Sequence, residues 1–280
     1  MNTQHNYSID DLLYLMARLR DTETGCPWDC KQDFESITPH TLEETCEVID
    51  AIERKDYPHL KEELGDLLFQ VVFYGQLGEE LSYFDFIGIV DSLVKKLLIR
   101  HPHVFPDGSL ESSRDHAETP DMGEIRQQWE AIKQGEYSQR DESAALGDVP
   151  RTLSALARAN KLQKRAANLK FDWPDYLPVV EKVHEELEEV LVEVEKDNKV
   201  RMEEELGDLM FACVNLARHL GIDSERALRL ANRKFERRFE AMIELAEGLK
   251  EGGVGLETFP SLSSENKNAL WEKVKAQEST

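Results

Sequence analysis

EELGDLLFQVVFYGQL (residues 62–77) returns later in the chain as EELGDLMFACVNLARHL (204–220). In both copies apolar residues recur every three or four positions, the period of a helix with one buried face. Asp66 and Asp208 stand 208 − 66 = 142 residues apart. The same offset relates LEETCEVIDAI (42–52) to HEELEEVLVEV (184–194), and WEAIKQGE (129–136) to WEKVKAQE (271–278). One offset held by three separated phrases marks a tandem duplication of a helical module.

The rest of the chain reads the same way. Helical periodicity predicts helices over 9–20, 40–54, 59–81, 85–100, 122–134, 152–166, 176–197, 199–220, 223–247 and 264–278. No stretch alternates apolar and polar residues long enough to predict a strand. Segments 21–39, 102–121 and 135–150 read as irregular, the first because of Gly25, Pro27 and Pro39. The polar stretch GEYSQRDESAALGDVP places a boundary between the copies. The expected organisation is all-α, with a module over 1–136, a linker over 137–150 and a second module over 151–280, each a helical bundle.

Composition narrows the function. The chain has 280 residues, 34 basic and 56 acidic, for a net charge of −22. A field of that sign repels the nucleic-acid backbone, so no nucleic-acid partner is expected. It also repels free nucleotides, which would need a bound cation or clustered Lys and Arg to approach. MNTQHNYSIDDLL carries no basic-then-apolar leader, and no apolar run is long enough to span a bilayer. Cys26, Cys30, Cys46 and Cys213 are too few for a disulfide framework, and Cys26 with Cys30 lacks a second pair at zinc-site spacing. A cytoplasmic protein with no membrane partner is expected.

The acidic residues within each copy have a geometry. Residues three apart on a helix are surface neighbours. Glu44 and Glu47 therefore stand together on one helix, and Glu63 and Asp66 on the next. Glu186 with Glu189, and Glu205 with Asp208, repeat the arrangement. A short connection makes consecutive helices antiparallel neighbours, so the two pairs can face each other. Four facing carboxylates without a cation repel strongly, and an all-oxygen set suits Mg²⁺, with Mn²⁺ as a substitute. Any one such phrase could be a solvated acidic face; two in order, duplicated, point to a metal site. The mid-helix glycine of each EELGD costs about 1 kcal/mol relative to alanine, so a close approach by a helix or ligand is expected there.

These phrases, with GCPWD (25–29), RHPHVF (100–105), FDW (171–173) and KFERRF (234–239), resemble the two-module members of the MazG family of all-α nucleoside triphosphate pyrophosphohydrolases. The resemblance covers nearly the whole chain. It implies a homodimer that hydrolyses NTPs and dNTPs, ATP included, to the monophosphate and pyrophosphate with Mg²⁺. By position it implies Glu186, Glu189, Glu205 and Asp208 as metal ligands, with Glu44, Glu47, Glu63 and Asp66 their first-module counterparts. It further implies Lys234 and Arg238 as phosphate contacts and Trp271 beside the base. A metal-activated water attacking phosphorus agrees with the carboxylate geometry. Glu185, adjacent to the ligand pair, is the candidate general base.

The copies differ where phosphate chemistry matters. Lys182 and Arg201 sit one turn before Glu186 and Glu205, as candidate substrate contacts; the matched positions in the first copy are His40 and His59. Arg229, Arg233, Lys234, Arg237 and Arg238 form a local basic patch, with Glu236 and Glu240 as possible solvated partners. The first copy has Lys96-Leu97-Leu98-Ile99-Arg100 in place of the family's Lys-x-Glu-Arg-Arg. The second module is therefore the expected catalyst. Two alternatives stay open. A di-iron carboxylate protein is one, though only Glu181-x-x-His184 fits its ligand pattern. A non-enzymatic acidic scaffold with a structural metal is the other.

Overall fold

A computed structural model describes residues 6–114, 121–125, 128–129, 132, 146–147, 149–247 and 259–278. The chain divides into two compact units, Met1–Glu136 and Tyr137–Thr280. Among the described residues there is no strand. The first unit contains α1 (Ile9–Leu19), α2 (Phe34–Arg54), α3 (Tyr57–Glu80) and α4 (Phe86–Arg100). The second contains α5 (Ala155–Asn168), α6 (Leu177–Glu195), α7 (Lys199–His219), α8 (Ser224–Glu247) and α9 (Ser264–Glu278). Part of the helix expected at 122–134, and most of the linker expected at 137–150, lie outside the described residues.

Local sequence sets the ends. Ser8 and Asp11 form a capping box at the start of α1, and Asp33 and Ser36 form one at the start of α2. That second box corrects the expected start of α2 at residue 40. Pro39 sits inside the helix rather than before it. The hydroxyls of Thr38 and Thr41 donate to the Phe34 and Ile37 carbonyls on either side, so the turn that loses a backbone donor stays tied down. Asp56 and Asn198 cap α3 and α7 through the backbone N–H of His59 and Arg201. Ser154 caps α5, moving its start from the expected 152 to 155.

The two copies build one plan. In the first unit α2 and α3 form a close hairpin, with α1 and α4 packed on α3. Met16, Ile37, Val72, Phe73 and Leu77 are its buried centre, flanked by Phe34, Tyr74 and Phe86. In the second unit α6 and α7 form the matching hairpin, α5 packs on α7 and α8, and α9 packs on α8. Met242, Ala246, Leu270 and Val274 bury a separate cluster between α8 and α9, with Trp271 against it.

Each unit pins the loop after its first helix with a guanidinium–carboxylate pair. In the first, Arg20 is 6% exposed in its side chain and bonds both carboxylate oxygens of Glu80 on α3, at 2.8 and 2.6 Å. Its other nitrogen donates to the Asp29 and Gln32 carbonyls of the GCPWD loop. That pairing holds Glu80 below the usual carboxylate range. In the second, Asp172 of FDW takes a forked pair of bonds from Arg218 on α7, with His219 Nε2 at 3.0 Å. The acid and base have exchanged places, but the joint is the same.

Gly78 permits the close turn between α3 and α4, because a Cβ there would lie 2.6 Å from the Phe84 ring and from its carbonyl. Gly78→Ala is expected to destabilise the first unit by about 1–3 kcal/mol, read as a lower urea midpoint with an unchanged slope. An unchanged midpoint would contradict this packing.

Candidate functional site

In the second unit Glu186 rises from α6 and Glu205 and Asp208 from α7. One carboxylate oxygen from each lies within 4.8 Å of the others. Glu186 and Glu205 are buried to 5% exposure while Asp208 is open. The group sits in a cleft of about 730 Å³ also lined by Lys182, Glu189, Val192, Glu193, Arg201 and Glu204. The first unit repeats the arrangement with Glu44, Glu63 and Asp66. Both groups have the same parentage: an acidic pair on each helix of a hairpin, turned inward by i, i+3 spacing.

The charge around each group is unfavourable as it stands. Loss of water, then Glu186 and Glu205, raise the Glu189 carboxyl above its ordinary value. Loss of water, then Asp66, Glu47 and Glu63, raise Glu44. Lys182 and Arg201 offset part of this in the second unit. Lys182 Nζ lies 2.7 Å from Glu186 and 2.9 Å from Glu185, and Arg201 bonds Glu205 and Glu204. Both cations are pushed up, Lys182 by hydrogen bonds to Glu186 and Glu185 and Arg201 chiefly by its bond to Glu204. In the first unit the matched contacts are imidazoles: His59 Nε2 to Glu63 at 2.8 Å and His40 to Glu43 at 3.7 Å.

The donor set fits a hard divalent cation. Oxygen ligands converge from two helices, and Glu186 Oε2 is buried without a hydrogen-bond partner. Among the described residues the members of both groups are carboxylates, with His59 bonded to Glu63 beside the first, so neither the zinc pairing nor Glu181 with His184 contributes to these groups. All four cysteines are free thiols.

The MazG nucleotide pyrophosphohydrolase domain matches this chain twice, over residues 32–105 and 176–243, one match on each acidic hairpin. The chain belongs to the MazG family. A nucleoside triphosphate pyrophosphohydrolase of Escherichia coli K12 is 51% identical over 274 residues, 96% of this chain and 98% of the relative. A nucleoside triphosphate pyrophosphohydrolase/pyrophosphatase MazG of Thermotoga maritima is 40% identical over 97% of both chains. A nucleoside triphosphate pyrophosphohydrolase of Mycolicibacterium smegmatis is 33% identical over 56% of this chain and 45% of its own.

Not every residue expected at the site of this MazG-family chain lines the cleft. Glu185 is exposed and held by Lys182, outside the lining. Lys234, Arg238 and Trp271 lie on α8 and α9, and none lines the cleft. The Arg238 guanidinium sits 5.5 Å from the Trp271 ring and pairs with Glu278 at 2.7 Å. Arg237 joins the same carboxylate, so Glu278 of α9 engages this part of the basic patch. Glu193 and Glu204 line the cleft and were not singled out from sequence. Glu193 continues the Glu186, Glu189 series at i+7, which was the available signal. The expected close approach at the EELGD glycines is not met within either unit: nothing lies within 4 Å of a Cβ built on Gly65 or Gly207.

A carboxyl whose folded pKa is raised binds protons in the folded state that the unfolded chain releases. It therefore costs stability as pH rises from the ordinary glutamate value through the raised one. Glu189→Gln is expected to raise Tm at pH 7 in EDTA and to shrink the Tm gain on adding Mg²⁺. Thermal scans with and without the cation check both; a lower Tm in EDTA would contradict the repulsion.

Proposed function

We propose that the chain is a Mg²⁺-dependent nucleoside triphosphate pyrophosphohydrolase whose working site is the cleft of the second unit. Membership in a nucleotide pyrophosphohydrolase family makes it an enzyme that hydrolyses nucleoside triphosphates. The observation that carries the finer reading is the three-carboxylate group of Glu186, Glu205 and Asp208 in a cleft that also presents Lys182 and Arg201. Substrates are NTPs and dNTPs, ATP among them, and the products are the monophosphate and pyrophosphate.

Glu186, Glu205, Asp208 and Glu189 would hold the cation, with Mn²⁺ able to replace Mg²⁺. Bound there, the cation supplies charge neutralisation of phosphate oxygens and acidifies water. Lys182 and Arg201 exchange part of their pairing with the carboxylates for the polyphosphate, as charge-assisted donors. Glu193 and Glu204 also line the cleft, Glu193 paired with Lys196 and Glu204 with Arg201. Glu189 is better placed than Glu185 to accept a proton from an attacking water, because it lines the cleft.

The chain is further proposed to act as a homodimer. Leu206 (44% exposed), Met210 (55%) and Phe211 (44%) flank the open position at Gly207, and Leu64 and Leu68 do so at Gly65. A bare glycine within exposed apolar helix surface is a seat for another helix. Leu206→Glu combined with Met210→Glu should convert a dimer to a monomer in light scattering; an unchanged mass would remove this surface from the interface.

Product analysis tests the reaction. With ATP and Mg²⁺ the expected products are AMP and pyrophosphate; ADP and phosphate would overturn the assignment. Glu189→Ala should lower kcat/KM by about tenfold or more, since removing one interaction with a charged group costs roughly 1.5–3 kcal/mol. Glu47→Ala should leave most turnover intact. The reverse pattern, with both variants folded by circular dichroism, would move the working site to the first unit.

A further inference from the structure

Each acidic hairpin turns on a residue with left-handed backbone, Lys55 (φ 60°) in the first unit and Asp197 (φ 52°) in the second. The two stand 197 − 55 = 142 residues apart. Equal steps to either side of the turn residue pair positions across an antiparallel hairpin. Eleven steps pair Glu44 with Asp66 and Glu186 with Asp208, and each pair does share an acidic group. Eight steps pair Glu47 with Glu63 and Glu189 with Glu205, whose charges oppose one another. Four steps pair Ala51 with His59 and Glu193 with Arg201. Positions four, eight and eleven from the turn fall on one face of a helix.

At the four-step pair the copies part. Ala51 is fully buried, whereas Glu193 and Arg201 both line the cleft. The first unit carries an acid one position earlier, Asp50, which is 51% exposed in its side chain and bonds Arg54 at 2.9 Å. In the second unit Val192 holds that position. Glu193 is 12% exposed in its side chain and bonds Lys196, the counterpart of Arg54, at 2.7 Å. The acid thus sits one place along, nearly buried, in the copy where arginine replaces histidine on the facing helix. The two positions differ as a pair.

Arg201 lacks a bonded partner across the hairpin. Glu204 and Glu205, the carboxylates it bonds, both belong to its own helix, and its side chain is half-exposed. Its pKa is raised first by the bond to Glu204, then by the charge of Glu205, with a smaller part from Glu193. Once Glu205 turned to a cation, Arg201 would be left to the exposed Glu204, which draws it along α7 toward water. Glu193 attracts it from α6 instead, and Lys196 keeps that carboxylate in place.

We infer that Glu193 is a positioning residue for substrate: it holds the Arg201 guanidinium over the cleft, where Arg201 meets the polyphosphate. This rests on the proposed function of that cleft. The sign of the effect makes it distinctive. A carboxylate in a cleft that takes a polyanion weakens binding by its own charge. Acting through Arg201, Glu193 strengthens it. Neutralising Glu193 decides which effect is larger, and because no base is involved the outcome is the same for every nucleotide.

Glu193→Gln, close to isosteric and uncharged, should raise KM for ATP and dTTP alike by about fivefold, a coupling usual for neighbouring charges, with kcat within about twofold. Calorimetry should show the affinity for inorganic tripolyphosphate with Mg²⁺ falling by the same factor. In an Arg201→Gln background the Glu193→Gln change should raise KM no further. Should Glu193→Gln fail to fold, Glu193→Ala, the side chain the first unit buries at this position, carries the same readouts. A KM that falls or stays unchanged in a folded variant would overturn the inference. So would a rise that persists undiminished without Arg201, or a shifted Mg²⁺ half-activation at constant KM, which would mark Glu193 as a metal ligand. A wild type that turns over no nucleoside triphosphate would overturn the proposed function instead. The tripolyphosphate affinities of wild type, both single variants and the double variant would then decide the role of Glu193 separately.

Discussion

Glu186 and Glu205 are almost sealed from water on two facing helices, with an oxygen of each and of Asp208 within 4.8 Å of one another. Like charges at that distance in a partly dry seam repel far more than they would in water. The helices could separate and relieve the strain, but α6 and α7 form the closest pairing in the second unit and cannot do so without losing their packing. The charge must therefore be answered locally. Lys182 and Arg201 answer it from within the same helices, one turn before the carboxylates they bond. On the proposed function, a metal bound to the carboxylates would free Lys182 and Arg201 to pair with the polyphosphate.

The same arithmetic separates the two units. Backbone plan, hairpin and carboxylate positions are duplicated, but the cations are not. Positions 40 and 59 hold imidazoles where the second unit has the fixed positive charges of Lys182 and Arg201. The first unit's EELGD keeps the acidic geometry, while the second copy alone keeps acid and base in register.

Much of this is legible in the sequence because it rests on spacing. The duplicated offset marks the two modules, and i, i+3 neighbours mark both acidic groups. What escapes depends on contacts between distant residues. Pro39 reads as a break, but the Asp33 capping box and two threonine hydroxyls carry the helix through it. Arg238 reads as part of a basic patch, and its pairing with Glu278, forty residues on, is one that no local pattern encodes. The EELGD glycines read as close approaches, and within each unit they face open space. Gln163 carries no signal at all, since a glutamine on a helix rich in Lys and Arg looks solvated until its packing on α7 is seen.

Gln163 also shows why buried polar groups say more about ligands than charged ones. A surface carboxylate in a chain of net charge −22 needs no explanation. An amide oxygen closed off from water does, because folding has removed its solvent and supplied nothing in exchange. Glu186 Oε2 and Gln163 Oε1 share this condition, one in the acidic cleft and one in the packing of α5 on α7. The first can be satisfied by a cation and the second only by a donor.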